Sequence, residues 1–228
     1  MFADRKDAGR HLAAALMDQL ADQLTEATAN VSGRPSDQEP QPPVVIGLAR
    51  GGVPVAGEVA DALHAPLDVL VVRKISLPQL PEFAIGALAE GGVRVLDPGA
   101  LRALHVSPED VAELTAREYD ELRRRVERLR GDRPPLPVDG RMAIVVDDGL
   151  ATGLTARAAV QALRHRGAER VVVAVPVAAP SSVRGLRQVA DDVVSVLLPA
   201  SLGAVSQFYY DFSQVPEPEV ERLLSIHQ

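Results

Sequence analysis

Two adjacent carboxylates, Asp147 and Asp148, precede a short loop of small and hydroxyl residues that runs from Gly149 to Thr155. Small side chains let an oxyanion approach the backbone N–H groups, and the hydroxyls of Thr152 and Thr155 can donate further hydrogen bonds. Carboxylates repel a nearby phosphate unless they face hydroxyls or a metal ion. A ligand with a phosphate at one end and vicinal hydroxyls in the middle, such as ribose 5-phosphate, satisfies both halves of this stretch.

The elements around this loop also favour an anion site. Residues 143–146 are apolar and mostly β-branched, which predicts a strand buried on both faces, and residues 155–163 predict a helix. The first amides of a helix have no intrahelical acceptor, so they can bind an anion together with the loop amides. The loop is not a Walker A sequence, because Leu154 occupies the place of the lysine. A simple Asp-Gly turn with ordinary loop acids is the alternative.

A second glycine loop follows a predicted strand over residues 44–49. Arg50, Gly51 and Gly52 lie between this strand and a predicted helix through residues 58–63. Adjacent glycines expose N–H groups, and the forked guanidinium of Arg50 matches phosphate oxygens. An ordinary strand-to-helix turn is the simpler interpretation of this segment alone.

A third predicted strand, residues 67–72, ends in Arg73 and Lys74. Periodicity is then lost over residues 75–84, which predicts either disorder or a lid over a site. We therefore expect residues 75–96 to form a flexible loop followed by a hairpin.

The alternation of buried strands with helices predicts an α/β fold. Right-handed crossovers would give a three-layer, Rossmann-like, mostly parallel sheet with helices on both faces. Ligands of such sheets bind at the carboxyl ends of the strands, where Arg50, Lys74, Asp147 and Asp148 would gather.

One domain over residues 1–228 is the default at this length, with 46% hydrophobic residues to form its core. Residues 31–43 have the composition of a flexible surface connector. Residues 199–228 form a C-terminal tail that contains four of the seven aromatic residues. These aromatics either anchor the final helix or form a stacking wall for a planar base, for which the candidates are Phe208, Tyr209 and Tyr210.

The stretch from Val145 to Thr155 resembles the phosphoribosyl pyrophosphate (PRPP) motif of type I phosphoribosyltransferases. The resemblance implies that Asp147 and Asp148 hold the ribose hydroxyls and that residues 151–155 wrap the 5′-phosphate. It also implies transfer of the phosphoribosyl group to a nitrogenous base with release of pyrophosphate, Mg²⁺ carried by PRPP and contacting the acidic pair indirectly, a small hood, and a homodimer.

The resemblance assigns the loop at Arg50 to the pyrophosphate, often with a non-proline cis peptide, and a basic residue below the lid to the same group, Lys74 before Arg73. Glu90 is a weaker candidate for contacting substrate or closing the lid. The residues assigned to PRPP are Arg50, Gly51, Gly52, Arg73, Lys74, Asp147, Asp148, Gly149, Ala151, Thr152, Gly153, Leu154 and Thr155.

Two positions depart from the family pattern. Gly149 replaces the usual branched apolar residue. Ala151 replaces an aspartate that serves the base in enzymes acting on 6-oxopurines, so hypoxanthine or guanine is a less favoured acceptor. Adenine, xanthine, uracil, orotate or a nonstandard acceptor stay open.

A second hypothesis keeps the site and removes turnover: a PRPP- or nucleotide-sensing regulator that binds RNA, DNA or a partner protein. A basic face from Arg123 to Arg130 would favour it, although such a run is more often a solvated helix face. The net charge of −7 argues mildly against broad nucleic-acid binding and tilts the choice towards the enzyme.

Other chemistries find little support in the sequence. The five histidines show no metal-ligand spacing, and the absence of cysteine excludes thiolate chemistry. No apolar run approaches the roughly 18 residues of a membrane span, and the charged first residues do not resemble a signal peptide. A cytoplasmic protein without a membrane partner is therefore expected.

Overall fold

The computed structural model describes residues 1–29, 41–131 and 133–227. The expected connector over residues 31–43 lies outside these ranges except for residues 41–43. The helices are α1 (Arg5–Ala29), α2 (Gly52–Leu63), α3 (Pro98–Ala103), α4 (Pro108–Arg130), α5 (Leu154–His165), α6 (Pro180–Leu186) and α7 (Glu217–Ile226). The strands are β1 (Val44–Leu48), β2 (Leu67–Leu70), β3 (Val72–Leu77), β4 (Leu80–Ala89), β5 (Arg94–Leu96), β6 (Met142–Val146), β7 (Arg170–Val177) and β8 (Asp192–Leu197).

Five of these strands form a parallel sheet in the order β2-β1-β6-β7-β8. Strand β6 shows why both faces are covered: Ile144 and Val146 belong to one core, and Ala143 and Val145 belong to the other. The first core includes side chains of α1, α2, α4 and α7, and the second includes side chains of α5 and α6. Because side chains alternate along a strand, a wholly apolar strand needs a layer on each face. The predicted three-layer α/β fold is confirmed.

The order of the strands reverses direction between β1 and β6. From β1 the chain passes through α2 to β2 on one side, and from β6 it passes through α5 to β7 on the other. The loops that leave β1 and β6 therefore diverge from a common crevice, which is the usual ligand site of an open α/β sheet. Both glycine-containing loops of the sequence open from this crevice.

A second, antiparallel sheet of β3, β4 and β5 adjoins the site. The prediction of irregular chain over residues 75–84 is wrong, because these residues form most of the hairpin between β3 and β4. The expected hairpin farther along corresponds to β4 and β5. Register shifts on both sides of Ser76, together with Pro78 in the turn and Pro81 in β4, hide the strand periodicity in the sequence.

Helix α4 begins as its sequence predicts. The Ser107 hydroxyl accepts a hydrogen bond from the Asp110 amide at 3.1 Å, and the Asp110 carboxylate accepts one from the Ser107 amide at 3.0 Å. This reciprocal cap and the proline at the first turn fix the start of the helix. The tail helix α7 starts after Pro216, and its Val220 and Leu224 are buried in the first core.

Candidate active site

The loop after β1 lies directly against the loop after β6. A Cβ atom on Gly52 would lie 2.5 Å from the carbonyl oxygen of Val146, and one on Gly51 would lie 2.1 Å from a carboxylate oxygen of Asp148. Neither distance is compatible with a side chain, so this close approach requires both glycines. The peptide bond between Ala49 and Arg50 is cis, as the family resemblance implies for this segment.

The acidic pair, Asp147 and Asp148, directly follows the carboxyl end of β6. The Asp148 amide donates a hydrogen bond to the Asp147 carboxylate at 2.9 Å. Burial and the neighbouring Asp148 charge raise the pKa of Asp147 well above its usual value. Burial also raises the pKa of Asp148, although Arg5 and Lys74 oppose that change. Two close carboxylates with raised pKa values are typical of a functional site rather than of a structural turn.

Arg5, near the start of the chain, forms an ion pair with Asp148. Its Nε and Nη2 atoms lie 3.0 and 2.9 Å from the same oxygen, Oδ2 of Asp148. The two residues are 143 positions apart, and Arg5 lies outside the stretch from Val145 to Thr155 that resembles the PRPP motif. No local sequence signal could have identified this contact.

The loop from Gly149 to Gly153 is held by neighbouring elements. The Leu150 amide donates to the Val177 carbonyl at 2.9 Å, and the Ser182 hydroxyl donates to the Ala151 carbonyl at 2.5 Å. Gly153 has a φ of +75°, a conformation that favours glycine, and α5 starts at the next residue. The loop thus leads directly into the first turn of α5, where unpaired backbone amides favour the binding of an anion.

The C-terminal tail covers the other side of the acidic pair. A Cβ atom on Gly149 would lie 2.5 Å from Cγ1 of Val205, so the tail occupies the space of the branched side chain that this sequence lacks. Tyr209 is 4% exposed, lies against Phe2 and Phe212, and donates its hydroxyl to the Asp148 carbonyl at 2.6 Å. Tyr209 therefore anchors the tail.

These segments enclose a cleft of about 750 Å³. Most of the predicted PRPP residues line it, whereas Arg50, Gly51, Gly52 and Leu154 lie outside its lining. Phe208, Tyr209 and Tyr210 are also outside the lining, and base stacking by them stays a prediction. The predicted site residues in the cleft are Arg73, Lys74, Asp147, Asp148, Gly149, Ala151, Thr152, Gly153 and Thr155. Lining residues that the sequence analysis missed include Ser76, Leu77, Leu114, Arg117, Glu118, Val205 and Phe212.

The cations of the site differ in their surroundings. Arg73 forms a salt bridge with Glu118 at 2.9 Å, whereas Lys74 is exposed in the cleft and lowers the pKa values of both aspartates. Burial lowers the pKa of Arg125, and the charges of Arg73 and Arg50 lower it further. The charges of Arg50, Arg73 and Arg125 come from three elements, and bringing like charges together costs free energy unless an anion binds near them.

Three arginines of the basic run on α4 are paired with carboxylates of the protein. Arg124 and Arg128 pair with Glu121 at 2.9 and 3.5 Å. Arg130 is buried and pairs with Glu90 at 2.6 Å. Glu90 is therefore a structural partner of α4 rather than a substrate contact, which corrects the expectation from the sequence.

A family model described as "Phosphoribosyl transferase domain" matches residues 13–213. The chain belongs to this family. Phosphoribosyl transferase relatives include a protein of Mycobacterium tuberculosis, provisionally named a phosphoribosyl transferase, that is 45% identical over 224 residues. The match covers 98% of this chain and 46% of the relative, so the chain spans about half the length of that relative.

Two further comparisons concern a solved structure and a local sequence match. The crystal structure of TT1426 from Thermus thermophilus is 42% identical with a TM-score of 0.75, and the match covers 100% of this chain and 99% of that one. A uracil phosphoribosyltransferase of Lactobacillus gasseri is 42% identical over 59 residues, 26% of this chain and 28% of that protein.

Among residues 1–29, 41–131 and 133–227, no helix is long and apolar enough to cross a membrane.

Proposed function

We propose that this phosphoribosyl transferase domain transfers the 5-phosphoribosyl group of PRPP to a nitrogen nucleophile and releases pyrophosphate. The observation that carries the proposal is the meeting of the acidic pair, the helix-start loop and Lys74 in one cleft at the switch point of the sheet. These groups match the hydroxyls, the 5′-phosphate and the pyrophosphate of one ligand.

In this proposal each end of PRPP is bound by a different part of the cleft. Asp147 and Asp148 accept hydrogen bonds from the ribose hydroxyls, and the backbone of residues 151–155 holds the 5′-phosphate. Arg73 and Lys74, which line the cleft, together with Arg50 from the loop after β1, offset the negative charge that develops on the leaving pyrophosphate. With both ends fixed, the bond at C1 can open towards an oxocarbenium-like state while the acceptor approaches.

The donor set also fits the divalent cation that PRPP carries. Carboxylate oxygens are ligands that Mg²⁺ prefers, and Asp147 has no cationic partner within hydrogen-bonding distance among the described residues. Mg²⁺ would neutralise part of the pyrophosphate charge, and the acidic pair would hold it indirectly through PRPP.

The acceptor is less constrained than the PRPP site. Ala151 is exposed at the cleft and carries no carboxylate that could serve a 6-oxopurine. Apolar side chains, among them Leu77, Leu114 and Phe212, contribute to the lining of the cleft, which suits a planar base. The local similarity to a uracil phosphoribosyltransferase makes uracil the first acceptor to test.

The test is pyrophosphate release from PRPP and Mg²⁺ with a panel that starts with uracil and continues with adenine, xanthine, orotate, hypoxanthine and guanine. We expect one acceptor to support release and the Asp147→Asn/Asp148→Asn variant to lose it. Asp120→Asn, at an exposed position of α4, is the matched control and should retain activity.

Absence of release with every acceptor, together with thermal stabilisation by PRPP, would replace the transferase by the regulatory alternative. Absence of both release and stabilisation would remove PRPP itself from the proposal.

A further inference from the structure

Arg5 is held in place by three separate contacts. Besides its ion pair with Asp148, its Nη1 atom donates to the Ser213 carbonyl at 2.7 Å, and its guanidinium lies 4.0 Å from the centre of the Phe212 ring. Its side chain is only 12% exposed. A planar guanidinium that is stacked and forked in this way has one orientation, unlike a solvated surface arginine.

Arg5 contacts only one oxygen of the Asp148 carboxylate and leaves the other oxygen without a contact from this arginine. Both nitrogens of Arg5 approach Oδ2, and Oδ1 has no hydrogen-bond partner among the described residues. The backbone of Gly51 approaches the Oδ2 side, and Tyr209 holds the Asp148 carbonyl. Arg5 and Gly51 therefore fix the position of Oδ2 and Tyr209 fixes the backbone of Asp148, while Oδ1 is left as the acceptor that Arg5 does not use.

We propose that Arg5 is a positioning residue of the ribose site, which holds Asp148 so that Oδ1 can accept a hydrogen bond from a ribose hydroxyl. This inference rests on the proposed function, because it assumes that the acidic pair binds the ribose of PRPP. Arg5 acts through Asp148 and does not contact the substrate. Its role differs from that of Lys74, which faces the cleft directly.

Comparing the binding of two ligands distinguishes the positioning effect of Arg5 from the general effect of losing its charge. PRPP contains the ribose, whereas pyrophosphate occupies only the cationic part of the site. Loss of the Arg5 charge acts through space on both anions, but a misplaced Asp148 affects only the ligand with hydroxyls. The ratio of the two affinities therefore isolates the ribose contact.

The experiment measures dissociation constants of PRPP and pyrophosphate, each with Mg²⁺, by isothermal titration calorimetry on the full chain. We expect Arg5→Gln to weaken PRPP binding by about tenfold or more, as for a lost hydrogen bond to a charged group, and to change pyrophosphate binding by less than about threefold. Arg5→Lys, which keeps the charge without the fork, should recover part of the PRPP affinity. Arg10→Gln is the matched control, since Arg10 lies on the same helix and is 60% exposed.

A double-variant cycle tests whether Arg5 acts through Asp148. In an Asp148→Asn background, Arg5→Gln should weaken PRPP binding by no more than the roughly threefold expected from the loss of its charge alone. Additive losses, or equal weakening of both ligands by Arg5→Gln, would overturn the positioning role while leaving the proposed function intact. Wild-type protein that binds neither ligand would overturn both proposals.

Discussion

Two pairs of carboxylates in this protein each face an arginine, and they have opposite consequences. In the first pair, Asp68 and Glu90 surround Arg130 at the junction between the two sheets. In the second pair, Asp147 and Asp148 face Arg5 at the mouth of the cleft. The difference lies in how many of the carboxylate oxygens the protein itself satisfies.

Protein donors occupy every carboxylate oxygen of the first pair. Glu90 accepts from Arg130 at 2.6 Å and from the Val71 amide at 2.7 Å. Asp68 accepts from the Val69 and Leu136 amides at 2.8 and 2.9 Å, with Arg130 at 3.5 Å. Burial lowers the pKa of Arg130, but the two carboxylates outweigh it and raise the pKa above its usual value.

The second pair is only partly satisfied. Arg5 covers one oxygen of Asp148, the Asp148 amide covers one of Asp147, and burial raises both pKa values. The comparison teaches that a closed acidic network stabilises a junction, whereas an open one keeps acceptor capacity for a ligand at a cost in stability.

The largest expected effect comes from opening the closed network. Arg130→Met leaves two buried carboxylates without their cation, and we expect it to lower the free energy of unfolding by about 3–5 kcal/mol. The matched variant Arg124→Met removes a surface ion pair on the same helix and should cost at most about 0.5 kcal/mol. Urea denaturation of both variants measures the difference, and equal losses would refute the contrast.

The second effect concerns activity. If the open pair binds the reacting ribose as proposed, Asp148→Asn should reduce pyrophosphate release by roughly 10²- to 10³-fold and should leave the fold intact. Asp68→Asn should do the reverse and lower stability with little change in turnover per folded molecule. Initial rates and urea midpoints of the two variants decide the matter. A strong loss of turnover in folded Asp68→Asn would contradict the assignment of roles.

The pH dependence of stability gives a third, smaller effect. The pKa of Asp147 is raised in the folded state, so the folded protein binds this proton more tightly than the unfolded chain does. The stability that comes from the protonated carboxyl is fully present below the pKa of the unfolded chain and is lost as pH rises through the pKa of the folded protein. Asp147→Asn removes this loss, so at pH 7 the variant should be more stable than the wild type by about 1–2 kcal/mol. The advantage should shrink as pH falls towards about 4. Denaturation curves at several pH values test this, and a constant difference would count against it.

The smallest effect separates the two tail tyrosines. Tyr209→Phe removes the hydrogen bond to the Asp148 carbonyl and should cost about 0.5–1.5 kcal/mol of stability. Tyr210→Phe, at a residue that is 77% exposed, should cost almost nothing. If Tyr210→Ala, which removes the ring, weakens binding of the acceptor, the stacking wall predicted from the sequence would gain support.

The parts of the site that are contiguous in sequence were predictable. Residues 143–155 contain a strand, an acidic pair, a loop and a helix start, so local patterns alone indicate their arrangement, and their alternation with other elements indicates the sheet. Arg5 was not predictable, because its partner lies 143 residues away and the contact depends on the packing of α1. The role of Glu90 was wrong for a similar reason, since Arg130 reaches it from a helix end 40 residues later.

The prediction of irregular chain over residues 75–84 was wrong for a different reason. Two prolines and the bulges around Ser76 break the alternation that identifies strands, while hydrogen bonds to the neighbouring strand still form. The sequence showed that Gly149 lacks the usual branched side chain, but it did not show that Val205, from a segment more than fifty positions later, fills that space.

The anchoring of the tail has a consequence for the order in which the protein is made. The Phe2 amide donates to the Phe208 carbonyl at 2.8 Å, and the Tyr210 amide donates to the Phe2 carbonyl at 2.9 Å, so the residues before α1 meet the segment before α7 beside Asp148. During synthesis β6, the loop after it and α5 emerge before this segment does. The contacts of Arg5 and Tyr209 with Asp148 are completed only after residues 209–213 have emerged. A nascent chain would therefore form the strand, loop and helix start around Asp147 before Asp148 is held in its final position.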